Sequence, residues 1–314
     1  MKKFIRIIFY TVLVIFILLN IMIAFHAYKF THFYDNIASS PSRPEKLGIL
    51  DKAGAIFFGV NYAKARDTIS ADSIFHNVVL KTDDGLRIHA WLAYTNAPKG
   101  TIILFHGHGN SSSDVLPEAL VMRKMGYSVM LVDFRAHGYS EGNTTTIGFR
   151  EAEEVKLAYN YIRQRGEKDL ILWGTSMGAS TVCTSIPKYE LKPEKVILEM
   201  PFGTLHEAAT GRIKTMGLPG EPFGTLVTFW GGVEQGFWAF NYAPCESAKE
   251  IHCPVLLQWG ERDPRVTKSE TDCIYNNLSS PKKLVVYESA AHESLYKKEP
   301  QKWTDEVGAF LNAQ

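Results

Sequence analysis

The chain opens with one long apolar run and then settles into short apolar blocks separated by amphipathic stretches. From Ile7 to Tyr28 no Asp, Glu, Lys or Arg interrupts the run, and Asn20 is its main polar residue. As a helix at ~1.5 Å per residue this segment is roughly 33 Å long, enough to cross a bilayer. Lys2, Lys3 and Arg6 precede it. A basic N-terminal flank keeps that end in the cytoplasm and sends the rest of the chain outside. The run is longer than the apolar part of a cleavable signal, and Ala24-Phe25-His26-Ala27 at its end is not an A-x-A site. Residues 1–30 therefore read as a retained signal anchor, with a cleaved signal as the alternative. Phe25, Tyr28, Phe30, Phe33 and Tyr34 suit either an interfacial aromatic belt or packing on the folded domain.

Residues 31–72 read as a linker and N-terminal extension. Ser39 to Pro44 has linker composition, and Gly48 to Asp67 admits a helix lying against the main domain. From residue 73 the pattern is regular. Phe75–Leu80 and Leu86–Tyr94 predict two strands joined by a turn at Asp83-Asp84-Gly85. Strands are then expected at Thr101–Phe105, Ser128–Val132, Leu170–Trp173, Val196–Glu199, Val255–Trp259 and Lys283–Tyr287. Helices are expected at Val115–Met125, Arg150–Arg165, Ser176–Ser185, Lys268–Asn277 and Gln301–Asn312. Continuous apolar strands alternating with helices indicate an α/β fold with a mostly parallel central sheet covered on both faces.

Composition narrows the function. Lys and Arg number 34 against 33 Asp and Glu, a net charge of +1, so the chain lacks the basic surplus of a nucleic-acid binder. Hydrophobic residues at 46% and charged residues at 21% are ordinary globular usage. Cys183, Cys245, Cys253 and Cys273 contain no C-x-x-C pair, which argues against a structural zinc site. Outside the cytoplasm Cys245 and Cys253, at the end of an irregular segment, are the expected disulfide partners. Buried free thiols are the alternative.

The chemistry concentrates at Gly174-Thr175-Ser176-Met177-Gly178, between an expected strand and an expected helix. This G-x-S-x-G pattern is a nucleophile elbow: the turn is tight enough to require Gly174 and Gly178, and it exposes the Ser176 hydroxyl at a helix N-terminus. A serine hydroxyl needs a base, and the base needs an orienting carboxylate. In the chain order that goes with this elbow the acid comes next and the histidine last. Asp263 follows the Val255–Trp259 strand and His292 follows the Lys283–Tyr287 strand, both on loops beyond strand carboxyl ends. Glu261, Asp272 and Glu199 are the competing acids. Oxyanion donors are expected from the main-chain N–H of Met177 and from His106-Gly107-His108-Gly109-Asn110, with His108 first and Gly107 next. The His-x-His spacing is compatible with a metal pair but lacks an evident third ligand, so neither metal nor cofactor is expected.

These pieces, with Asp133-Phe-Arg-Ala-His-Gly-Tyr-Ser140, Gly260-Glu-Arg-Asp263 and the late Ala291-His292, resemble the α/β-hydrolases of the monoacylglycerol-lipase and serine-aminopeptidase-like branch. The resemblance covers residues from about 75 to 314. It implies the α/β-hydrolase fold over residues 73–314, a short helical cap inserted at about 203–252, and structural roles for Asp133 and Arg135. Ala136 stands where many such relatives have Gly. Phe223, Phe229, Trp230, Phe237, Trp238, Phe240 and Tyr242 fall in the cap, and at least two of them are expected to line an acyl pocket. The expected function is hydrolysis of a carboxylic ester, of a small and possibly lipid-like acyl substrate, through an acyl-enzyme. Acyl transfer or peptide cleavage by the same three residues, and a non-catalytic binding protein, are the alternatives.

Overall fold

The computed structural model describes residues 1–35, 48–69 and 74–313. The expected linker Ser39–Pro44 lies outside the described residues. The chain begins with α1 (Lys2–Thr31), β1 (Phe33–Tyr34), α2 (Ile49–Phe58) and β2 (Tyr62–Ala63). The main domain follows as β3 (His76–Lys81), β4 (Arg87–Ala93), β5 (Thr101–Phe105), α3 (Leu116–Lys124), β6 (Ser128–Val132), α4 (Ala152–Arg163), β7 (Leu170–Thr175), α5 (Met177–Lys188) and β8 (Lys195–Glu199). Then come α6 (Leu205–Thr215), α7 (Phe223–Gln235), α8 (Pro244–Ser247), β9 (Val255–Gly260), α9 (Lys268–Asn277), β10 (Lys282–Tyr287), α10 (Leu295–Lys298) and α11 (Pro300–Asn312).

Eight strands form one sheet in the order β10-β9-β8-β7-β5-β6-β4-β3. The hairpin β3–β4 and the β4–β6 pair are antiparallel; the remaining pairs are parallel. The parallel strands are buried on both faces: every residue of β5, β6, β8 and β9 is buried. That explains why they read as unbroken apolar blocks, whereas β3, at the sheet edge, alternates. One core cluster joins Ile103, Phe105, Val132, Leu172 and Leu198 to α4 and α5. The other joins Ile102, Leu104, Trp173 and Ile197 to α3 and α11. This is the expected α/β-hydrolase architecture, with α6 and α7 as the helical cap.

The ends of α1 behave differently. Its side chains from Lys2 to Leu18 are exposed, whereas Ile23, Ala27 and Thr31 are buried. An apolar helix exposed over this length has the dimensions and composition of a membrane span. Its last turns dock on the domain. Thr145 N–H donates to the Thr31 carbonyl at 2.9 Å, Phe33 N–H donates to Asn143 at 2.8 Å, and Gln235 of α7 donates to Thr31 Oγ1 at 3.2 Å. Of the five aromatic residues here, Phe33 is buried among Tyr62, His108 and His137, while Phe25 and Tyr28 remain exposed. The packing reading thus holds for Phe33. Within Gly48–Asp67 the structure forms a helix, α2, tied to α1 where His26 Nε2 donates to the Ile56 carbonyl at 2.8 Å.

Cys245 is bonded to Cys273, not to Cys253, and Cys253 and Cys183 are free thiols. Nearness in sequence does not bring Cβ atoms together; packing of α8 on α9 does, with the two Cα atoms 5.8 Å apart. A bond closing a loop of 28 residues is worth about 3–4 kcal/mol through the entropy of the unfolded chain. Cys245→Ser and Cys273→Ser are each expected to lower the thermal midpoint by several degrees, and the double variant no further, in a melt followed by circular dichroism.

Candidate active site

The strand β7 ends at Thr175 and α5 begins at Met177, so Ser176 alone makes the turn, with φ 52° and ψ −117°. A residue with a side chain resists this conformation, and only its surroundings hold it there. Ser176 N–H donates to the Glu199 carbonyl of β8 at 2.7 Å. A Cβ on Gly174 would lie 2.6 Å from the Gly178 and Ala179 backbone, and one on Gly178 would strike the Phe105 carbonyl of β5. The two glycines are a steric condition for folding β7 back against the start of α5.

The elbow points Ser176 Oγ at the ring of His292, 2.8 Å from Nε2. On the far side of the ring Nδ1 lies 2.6 Å from Asp263 Oδ2. A carboxylate only accepts, so Nδ1 carries the proton and Nε2 is free to accept from Ser176. The Asp263 side chain is fully buried, and its Oδ1 accepts from the N–H groups of Arg265 at 2.8 Å and Val266 at 3.0 Å. The competing acids are engaged elsewhere. Asp272 pairs with Lys268 at 2.6 Å, and Glu261 is exposed. Glu199 Oε1 accepts from the indoles of Trp173 at 3.2 Å and Trp303 at 2.6 Å and from Gln258 at 3.0 Å.

Met177 is the first residue of α5, so its N–H has no carbonyl one turn back. His108 and Gly107 line the same cavity as Ser176, and a Cβ on Gly107 would sit 3.4 Å from that of Ser176. Three histidines brace this loop. His106 Nε2 accepts from Phe134 N–H, and His137 Nε2 accepts from Gly109 N–H, each at 3.1 Å. His108 Nε2 donates to the Phe30 carbonyl of α1 at 3.1 Å, with the Phe30 and His108 rings stacked 4.6 Å apart. Burial pushes His106 down to about 4, and burial with the nearby Arg212 cation pushes His108 down to about 3, so both stay neutral. The bracing role of α1 has no sequence signal, because it joins Phe30 to a loop 78 residues away.

The cavity at Ser176 has a volume of about 420 Å³, within the range of small-molecule sites. Ala27, Phe30 and Thr31 of α1 form part of its wall, as do Arg212 of α6 and Thr228 and Gly232 of α7. Of the seven cap aromatics Phe237 lines this cavity, and Phe223 lines a smaller one beside it. Phe229 and Trp238 are exposed, Tyr242 is buried in the core, and Trp230 Nε1 donates to Asn20 of α1 at 3.1 Å.

Asp133 and Arg135 hold loops. Asp133 Oδ1 accepts from Ser112 N–H at 2.7 Å and Oγ at 2.6 Å, while Arg135 bonds Glu154 at 2.5 Å and pairs with Asp84 and Glu153. Among the described residues, Asp67, His89 and Asp133 bring possible metal-ligand atoms within 4.8 Å of one another. The Asp67 and Asp133 oxygens there already accept from Trp91, Ser113, Ser112 and Tyr139, so the cluster reads as a hydrogen-bonded brace.

The family model for serine aminopeptidases (S33) matches residues 96–223, which include Ser176 but neither Asp263 nor His292. An esterase of Pyrococcus furiosus superposes with a TM-score of 0.68 at 23% identity, covering 80% of this chain and 96% of that one. An esterase of Exiguobacterium antarcticum gives 0.58 at 17% identity, over 76% of this chain and all of that one. The chain has the α/β-hydrolase fold. The uncharacterized protein YqkD of Bacillus subtilis is 26% identical to this chain over 216 residues, 68% of this chain and 71% of that protein. The lysophosphatidylserine lipase ABHD12 of Danio rerio is 25% identical over 67% of this chain, and that of Mus musculus 28% over 56%. The alignments span 60% and 45% of those two lipases.

The Glu199 side chain is buried. Burial, reinforced by the charge of Glu118, raises its carboxyl from 4.5 to about 8. Folding therefore takes up a proton between those values, and this contribution to stability is lost as pH rises from about 4.5 through about 8. Glu199→Gln is expected to flatten the decline of the urea midpoint between pH 5 and 8. An unchanged slope in that variant would refute the assignment.

Proposed function

We propose that this hydrolase is a membrane-anchored serine esterase acting on a lipid-like acyl ester. The observation that carries the reading is the hydrogen-bond chain Ser176–His292–Asp263 at the wall of a cavity. In the proposed reaction Ser176 Oγ attacks the acyl carbonyl while His292 Nε2 takes its proton. Asp263 holds the ring and stabilises the imidazolium. The N–H groups of Met177 and His108, with Gly107 giving the backbone room, receive the oxyanion at the N-terminus of α5. His292 returns the proton to the leaving oxygen, and water then releases the acyl group from Ser176 by the same steps in reverse roles.

The cavity wall is mixed, with Phe30, Ile147 and Phe202 beside Glu118, Arg212 and Lys297; the ester reading is supported by the curated relatives named as lipases of a lysophospholipid. A lysophospholipid-like ester is accordingly the proposed substrate class. Residues 1–30 are the proposed anchor, 31–72 the extension, and 73–314 the catalytic domain with its cap at about 203–252. The proposed location of that domain is extracytoplasmic. Lys2, Lys3 and Arg6 before the span support this orientation, as does a disulfide, which persists in oxidising compartments.

The test is turnover of p-nitrophenyl esters from acetate to palmitate by the full chain in vesicles. Ser176→Ala is expected to lose at least about 10³-fold in kcat. Undiminished turnover would remove Ser176 from the chemistry. Assays with an added alcohol and with aminoacyl anilides separate the transferase and peptidase alternatives by their products.

A further inference from the structure

Beside the cavity at Ser176 lies a second one of about 170 Å³. Leu19, Met22 and Ile23 of α1 form one side, Ile56 of α2 another, and Ile213 and Phe223 of the cap a third. Phe30, Tyr62, Ala209, Arg212 and Val227 line both cavities, so the two adjoin at a neck. The neck is held by Arg212, whose Nη2 donates to the Tyr62 hydroxyl at 2.6 Å and whose guanidinium lies 5.7 Å from the ring centres of Phe30 and Tyr62. Its buried Nε has no hydrogen-bond partner, and among the described residues no carboxylate pairs with it.

The position of the outer end decides what enters. The exposed stretch of α1 stops at Leu18, and Leu19 already lines the second cavity. Exposed apolar side chains lie on the elements that flank α1: Leu50, Phe57 and Phe58 on α2, and Phe229 and Val233 on α7. Both helices are fastened to α1, α7 by the Trp230–Asn20 bond beside Leu19 and α2 farther along, where Lys29 Nζ donates to the Phe58 carbonyl at 2.6 Å. Apolar side chains and a tryptophan grouped at the end of a span mark the membrane face of a domain. A polar substrate would find almost no partners along the wall of the second cavity.

We propose that this cavity receives the acyl chain of a single-chain membrane lipid and passes it from the bilayer to Ser176, so that α1 is a wall of the substrate site as well as a tether. The acyl tail lies between α1 and the cap, its carbonyl reaches Ser176, and the open Arg212 Nε offers a donor to an ester or head-group oxygen at the neck. This rests on the serine-esterase reading and adds to it the route and the recognition surface.

The experiment uses the full chain in phosphatidylcholine vesicles with p-nitrophenyl butyrate and p-nitrophenyl palmitate. Met22→Trp and Ile213→Trp fill the cavity from opposite walls without removing any core atom. Each is expected to lower the palmitate-to-butyrate ratio of kcat/KM about tenfold, the scale on which apolar pockets discriminate chain size. A ratio unchanged in both variants, with Ser176 still labelled by a fluorophosphonate, would overturn the proposal while leaving the esterase reading intact. If one variant fails to fold, the other decides from its own wall. If the parent turns over neither ester and Ser176 takes no fluorophosphonate, the esterase reading fails and takes this proposal with it.

Discussion

The close approach of α5 to the central sheet at residues 174–178 is the constraint on which the rest of the site depends. Gly174 and Gly178 remove the two Cβ atoms that would keep β7, β5 and α5 apart. Ser176 is thereby forced to positive φ, while its N–H still bonds the Glu199 carbonyl of β8 and its carbonyl accepts from Ser180 N–H of α5. Its hydroxyl has nowhere to point except above the strand ends, where the loops after β9 and β10 bring Asp263 and His292. The strain at Ser176 is sustained by the fully buried strands on either side of it.

A second constraint comes from α1. Its last turns are not a free tether: they cap the loop of His108, share a hydrogen bond with α7, and supply part of the wall around Ser176. The end of α1, the loop of residues 106–110 and the cap therefore form one packed unit. Three neutral histidines hold that unit together without placing a positive charge beside the backbone donors, which keeps the local field set by α5 and Arg212.

The sheet and its helices were legible because each rests on local pattern. The limits of β6 match the apolar block Ser128–Val132, and those of α9 match Lys268–Asn277, where Thr267 and Glu270 form a capping box. The grouping of Ser176, Asp263 and His292 was legible from chain order and loop position. What escaped were contacts between residues distant in sequence that have no motif of their own. Phe30 on His108, Arg212 at the neck and Cys245 with Cys273 all depend on how helices pack. Which cap aromatics line a cavity was hidden for the same reason: helix orientation leaves Phe229 and Trp238 exposed, sends Tyr242 into the core and sets Trp230 against α1, while Phe237 and Phe223 face cavities.

The central claim is that Ser176 is a nucleophile activated by His292 and Asp263. The most direct measurement is mass-spectrometric mapping of a fluorophosphonate adduct on the full chain, with and without His292→Ala. The account predicts a single adduct on the Ser176 peptide that forms at least about a hundredfold more slowly in the variant, the scale of general-base assistance. An adduct on another residue, or labelling of Ser176 at the same rate without His292, would contradict it.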